Sequence, residues 1–152
     1  MKKAALAITA LCLSVAAAAP ALAALGGGAA SVEADRAHMN GVMQSTAATG
    51  YSVREIASPD GMVVREYVAD NGTVFGFSWR GPRSADLQQL LGPAYYSQYV
   101  QAANTTPQPS RRLRSIELPG LRVHSSVRYR AFYGRAWAPD LVPAGVSTDE
   151  IK

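Results

Sequence analysis

From Tyr51 to Trp79, apolar and polar residues alternate with the period of two that marks half-buried strands. The pattern predicts strands over 51–57, 62–69 and 74–79. Ser58-Pro59-Asp60-Gly61 separates the first two: Pro fixes φ at the second turn position and Gly tolerates a left-handed exit. Asp70-Asn71-Gly72-Thr73 separates the next two, and Asn-Gly is the strongest short hairpin signal. Strict alternation puts Phe75, Phe77 and Trp79 on one face, with Gly76 and Ser78 opposite.

Helical spacing brackets this meander. Val32, Met39, Val42 and Met43 form a loose stripe that predicts a helix over 32–44. Ser31 is its expected N-cap, and Glu33 and Asp35 lie in its first turn. Leu87, Leu90, Leu91, Ala94 and Tyr95 recur at the same period, but Gly92-Pro93 interrupts them. Proline lacks an N–H and its ring strikes the preceding turn, so two short helices, 85–91 and 94–102, are expected, the first capped by Ser84. Beyond a polar loop over 104–110, Pro119-Gly120 centres a hairpin between 113–118 and 121–124, and 127–134 reads as one more strand. The absence of βαβ spacing gives an α+β fold: one domain over 31–146, with an antiparallel sheet of five to six strands and helices packed on one face. The Leu87/Leu90/Leu91 stripe is the natural cover for the aromatic face. Residues 24–30, rich in Gly and Ala, read as a flexible leader, and 147–152 as a tail.

The N-terminus changes the picture. Met1-Lys2-Lys3, an Ala-rich apolar run and Pro20-Ala21-Leu22-Ala23 have the three parts of a cleavable signal peptide over 1–23. The run is too short for a membrane span, which needs roughly 20 apolar residues. Export to the periplasm or medium, with a mature chain starting near Ala24 and no membrane span after cleavage, is the expectation. Losing Lys2 and Lys3 takes the basic count from 15 to 13 against 11 acids, so the net charge falls from +4 to +2. Cys12, the only cysteine, leaves with the signal, and with it any disulfide, thiol nucleophile or cysteine-based metal site.

Little in the mature chain supplies chemistry. His38 and His124 are far apart and no cysteine joins them, so a zinc site lacks its ligands, and no cofactor signature is present. Gly76-Phe77-Ser78-Trp79-Arg80 misses the second Gly of a nucleophile elbow and lies inside a strand. Glu55, Asp60, Glu66 and Asp70 sit beside turns or arginines and read as surface charge. The suggestive surface is basic. Seven arginines lie between Arg111 and Arg135, with one acid, Glu117. Alternation within 127–134 puts Arg128 and Arg130 on one face, and Arg122 and His124 share a face of the preceding strand. Together these four form a candidate stripe for polyanions, with Arg supplying planar forks for phosphate or carboxylate. An outward arginine that guards an edge strand is the plainer reading. Tyr95, Tyr96 and Tyr99 form a candidate interaction patch, or equally a helix end that buries rings and wets hydroxyls.

Several segments resemble one family: Ala24-Leu25-Gly26-Gly27 after the leader, Gly50-Tyr51-Ser52-Val53, Val64-Arg65-Glu66-Tyr67, Gly72-Thr73-Val74-Phe75, Trp79-Arg80-Gly81-Pro82, Leu87-Gln88-Gln89-Leu90-Leu91-Gly92 and Arg130-Ala131-Phe132-Tyr133-Gly134-Arg135-Ala136. This pattern is similar to the small exported proteobacterial proteins of domain-of-unknown-function family 2844. The resemblance implies a Gram-negative cell-envelope or secreted protein, and carries no activity, cofactor or catalytic residue. The expectation is a small exported domain that binds a protein partner or an envelope component such as an acidic glycan or lipid headgroup, not nucleic acid. An enzyme with a carboxylate-based site and a structural envelope-assembly subunit are the alternatives.

Overall fold

The structure is a computed structural model that describes residues 25–108, 110 and 112–152. The expected signal segment, 1–23, lies outside them. In chain order the elements are α1 (Ala29–His38), β1 (Val42–Ala48), β2 (Tyr51–Ala57), β3 (Val63–Ala69), β4 (Val74–Gly81), α2 (Leu87–Thr105), β5 (Leu113–Leu118), β6 (Leu121–Arg128) and β7 (Ala131–Trp137). Two short 3-10 helices, Pro139–Leu141 and Thr148–Glu150, follow. The strands form one antiparallel sheet in the order β1-β2-β3-β4-β7-β6-β5. The fold is thus α+β, but with seven strands rather than five to six.

The added strand is β1, in place of a helix continuing to 44. The helix stops at His38 because Asn40 turns left-handed, with φ of 49°. Gly41 then passes so close to Ile56 that a Cβ there would sit 2.5 Å from its Cγ2. β1 is an edge strand exposed along nearly its whole length, so burial imposes no alternation on its sequence. The expected strand over 127–134 is divided: 127–128 end β6, which runs on unbroken from the expected 121–124, and 131–134 begin β7. Tyr129 and Arg130, with φ of 49° and 66°, make a two-residue hairpin between β6 and β7.

Alternation divides the sheet into a dry face and a second face. On the first, Val64, Phe77, Trp79, Ile116, Val123 and Ala136 pack against Leu90, Leu91, Tyr99 and Ala102 of α2. α1 closes the same face further along, setting Val32 on Ile56, Val68 and Val74. Burying each large side chain contributes about 1.5–3 kcal/mol, so this face carries the fold. α2 breaks as expected: Gly92 leaves helical geometry at φ 70° just before Pro93. Asp86, not Ser84, caps it, accepting a hydrogen bond from the Gln89 N–H at 3.1 Å.

Phe75 is not on this face. Tyr67 pairs with Gly76 and Val68 with Val74, so Phe75 is the extra residue of a β-bulge. It turns to the second face, 5.8 Å edge-on from Tyr51 and 6.2 Å from Tyr67. There it joins Tyr67, Trp137 and Ile151, and the partly buried Leu141, Val142 and Val146 of the C-terminal segment pack over them.

Both ends of the described chain are built into the core. Leu25, expected in a flexible leader, is buried, and its N–H donates to the Leu90 carbonyl at 3.1 Å. Gly26 and Gly27 exchange 2.8 Å backbone hydrogen bonds with Val74. α1 therefore starts at Ala29 with Gly28 as N-cap, and Ser31 lies inside it, donating to the Gly28 carbonyl at 2.6 Å. Within the expected tail, Ser147 caps the last 3-10 helix and Ile151 is fully buried.

Candidate functional site

The C-terminal segment covers only part of the second face. The remainder is a grid of side chains fixed by strand register. Arg65, Ser78, Arg135, His124 and Ser115 stand in one row across β3, β4, β7, β6 and β5. Two residues along, Val63, Arg80, Tyr133, Ser126 and Leu113 form the next row. Neighbouring strands lie roughly 4.8 Å apart, so each row presents one side chain per step. Between the rows and the end of the chain lies an open groove of about 400 Å³, lined by Arg65, Arg80, His124, Tyr133, Arg135 and Lys152 among others.

The groove's wall is held by polar contacts. The Lys152 main-chain oxygen accepts from Arg65 Nη1 at 3.0 Å, the Tyr67 hydroxyl at 2.9 Å and the Ser78 hydroxyl at 3.1 Å. The Tyr67 hydroxyl also accepts from the Lys152 N–H at 3.0 Å. Arg65 Nε pairs with Glu55 at 2.7 Å. Arg135 donates to the Thr148 and Ile151 carbonyls at 3.4 Å and lies over the Trp137 ring at 5.2 Å. Arg80 is different: it is exposed and has no ion pair among the described residues. The groove therefore offers one unpaired guanidinium among the described residues, that of Arg80, beside the half-exposed ring of Tyr133, with Arg65 and Arg135 fixed around it by the C-terminal segment.

The four residues expected to form a basic stripe are only partly together. Arg122 and His124 do share the second face of β6, but both are occupied by Glu117: Arg122 Nε lies 2.6 Å from one carboxylate oxygen and His124 Nε2 2.5 Å from the other. Arg128 ends the same strand on the same face. Arg130 leaves it, because the chain turns at Tyr129-Arg130 instead of continuing as a strand. Arg65, Arg80 and Arg135 belong to the basic face and carry no local signal that singles them out; the antiparallel β4–β7 pairing, a long-range fact, brings them beside His124.

The tyrosine patch is mostly packing. Tyr99 is buried against the core, Tyr95 and Tyr96 are half-buried on it, and the Tyr96 and Tyr99 rings stack at 6.2 Å. The Tyr99 hydroxyl accepts from Arg114 at 3.2 Å.

Glu66, which reads from sequence as surface charge, is only 3% exposed. It lies on the dry face of β3, behind α1, next to the equally buried Asp35. Burial and the neighbouring Asp35 push the Glu66 carboxyl up to about 10, so it stays protonated and donates to Asp35. Asp35 is also raised by burial, while the proton from Glu66 and the Gln89 amide, at 3.0 Å, favour its charged form. Arg54 lies close enough to Glu66 to oppose the rise. The pair joins α1 to the sheet. Asp35 borders a second cavity of about 380 Å³, whose polar rim groups pair with one another: His38 with Asp86 at 3.3 Å and Arg83 with Asp60 at 2.7 Å. Hydrogen bonds from Ser58 and Arg83 lower the Asp60 carboxyl to about 2. Glu55, Glu66 and His124 do not converge. Glu66 faces the helices, whereas Glu55 and His124 face the other way, on the well-separated strands β2 and β6.

Among the described residues, no group of three or more His, Cys, Asp or Glu is placed to hold a metal ion, and no helix is long and apolar enough to cross a membrane. Residues 21–151, nearly the whole chain, match the family model described as Protein of unknown function (DUF2844). No curated protein and no solved structure matches the chain.

Proposed function

The chain belongs to the DUF2844 family, whose description assigns no activity, and from the site itself we propose an exported binding module that holds an acidic glycan in the second-face groove. The observation that carries this is the register grid: Arg65, Arg80, Arg135 and His124 brought beside Ser78, Ser126 and Tyr133 in one open channel. Each type has a part in such binding. An arginine fork takes a sugar carboxylate in two parallel hydrogen bonds. Serine hydroxyls both donate and accept, matching sugar hydroxyls. A half-exposed tyrosine ring offers an apolar platform to a ring face. An open groove suits a polymer longer than the site. The leader pattern supports a location in the periplasm or medium, where such polymers occur.

The test is calorimetric titration of the purified protein with hexagalacturonate, using cellohexaose as the neutral control. Binding to the acidic sugar that weakens with added NaCl, and about tenfold or more with Arg80→Ala, is expected. Equal affinity for the neutral sugar, or an Arg80→Ala protein that binds like the parent, overturns the reading.

A further inference from the structure

At the end of the sheet beyond the groove, the β6–β7 hairpin has an unusual tip. Tyr129 and Arg130 occupy the left-handed region, at φ 49° and 66°, where side chains with a Cβ are strained and Asn or Gly is the relaxed choice. The chain uses that choice elsewhere: the β3–β4 hairpin turns through Asn71-Gly72, with Gly72 at φ 86°. Strain kept at an exposed tip points to the side chains it displays.

Those side chains are apolar and cationic. Five large hydrophobic residues are exposed among the described ones, and three are here: Tyr129 at 103%, Leu113 at 46% and Tyr133 at 43%. A shallow dish of about 510 Å³ is lined by Arg112, Leu113, Ser126, Val127, Arg128 and Tyr129, with no acid among them. Arg112, Arg128 and Arg130 make no ion pair among the described residues. Along the sequence, Glu117 is the only acid between Asp86 and Asp140, and it is paired with Arg122 and His124 toward the opposite end of β6 from the tip.

We propose that this hairpin tip docks on an anionic lipid surface. Tyr129 enters the headgroup layer, where a ring with a polar end is favoured, and Arg112, Arg128 and Arg130 engage lipid phosphates. The surface adjoins the groove, sharing Leu113 and Ser126 with it, but Arg112, Arg128, Tyr129 and Arg130, which would engage the lipid, do not line the groove, and neither proposal needs the other to be right.

The test uses the purified protein with vesicles of phosphatidylcholine alone or with about a third phosphatidylglycerol, enough to give the surface a negative potential; every variant carries the same N-terminus as its parent. Tyr129→Trp is the reporter, since Trp79 and Trp137 are buried. Its emission should shift to the blue, and brominated lipid should quench it, only with phosphatidylglycerol. Arg128→Ala should weaken vesicle binding about fivefold, in line with the attraction of one cation near a charged surface. Tyr129→Asn with Arg130→Gly should weaken it more than about tenfold while raising the melting temperature, because that turn is relaxed. Arg80→Ala, which strikes the groove, should leave vesicle binding intact. A reporter signal unchanged by lipid, equal binding to both vesicles, or a double variant that binds like the parent overturns the proposal. Loss on Arg80→Ala with retention in the double variant would place the headgroup in the groove and also overturn it.

Discussion

The two faces of one sheet are made from alternate residues of the same strands, yet they do different work. On one face Phe77, Trp79, Ile116 and Val123 lie under α2 and meet almost no water. On the other, the intervening Ser78, Arg80, His124 and Arg135 lie beside a C-terminal segment that covers the face only in part. Along the groove, stability and the proposed binding surface are separated by parity: a change at Phe77 or Trp79 should move folding, and a change at the intervening Arg80 should move ligand affinity.

The sharpest break of that comparison is at the centre of the sheet. Gly134 stands opposite Trp79, and any Cβ there would overlap the indole ring. Gly134→Val should destabilise the protein by about 3 kcal/mol or more, since an overpacked core must shift or strain. Urea unfolding followed by tryptophan fluorescence gives the number, and a midpoint within error of the parent would contradict the packing. Ile151→Ala probes the groove wall. It empties a fully buried site and loosens the wall, and should cost about 2–4 kcal/mol and weaken hexagalacturonate as well. Loss of stability with unchanged affinity would show that the wall is irrelevant to the groove.

Arg80→Ala sharpens the comparison from the other side. Losing a charge-assisted contact should remove about 1.5–3 kcal/mol of binding, while stability stays within about 0.5 kcal/mol. A drop in melting temperature as large as that of Ile151→Ala would assign Arg80 to the fold instead.

The exception on the dry face is the Asp35–Glu66 pair, and it gives a pH signature. Glu66 has its folded pKa raised above the unfolded value, from 4.5 to about 10, so the stability it gives is complete below 4.5 and is lost as pH rises toward about 10. The parent should therefore melt progressively lower as pH rises through that window. Glu66→Gln keeps a donor for Asp35 without a titrating proton and should flatten that slope, the gap between the two growing with pH. Parallel melting profiles would remove the shared proton from the account.

Much of the dry face is legible in the sequence because its signals are local. The Asn71-Gly72 turn, the alternation from Val63 to Trp79, the leucines of α2 and the break at Pro93 each lie within a few residues of what they specify. The second face depends on distant pairings. Nothing near Arg80 or Arg65 announces that β7 will lie beside β4, and nothing in the last residues announces that Ile151 reaches Gly76. β1 escapes the pattern because an edge strand in which only Met43 is partly covered shows no period. The bulge at Phe75 breaks the parity that alternation assumes. The turn at Tyr129-Arg130 lacks the Asn or Gly by which such turns are recognised, so the break between β6 and β7 reads at 125–126 instead. Glu66 reads as surface charge because its partner, Asp35, is on another element. Of the candidate residues, Arg122, His124 and Arg128 share the second face, whereas the pairing of the first two with Glu117 and the departure of Arg130 follow from strand register and turn geometry.

The central claim is that the second face binds and the first does not. Amide chemical-shift mapping of the labelled protein during titration with hexagalacturonate tests it most directly. The account predicts shifts at Ser78, Arg80, His124, Tyr133 and Arg135, with Leu90, Leu91 and Val123 still. Shifts centred instead on α1 and α2 around the cavity bordered by Asp35, or no shifts at millimolar sugar, would contradict it.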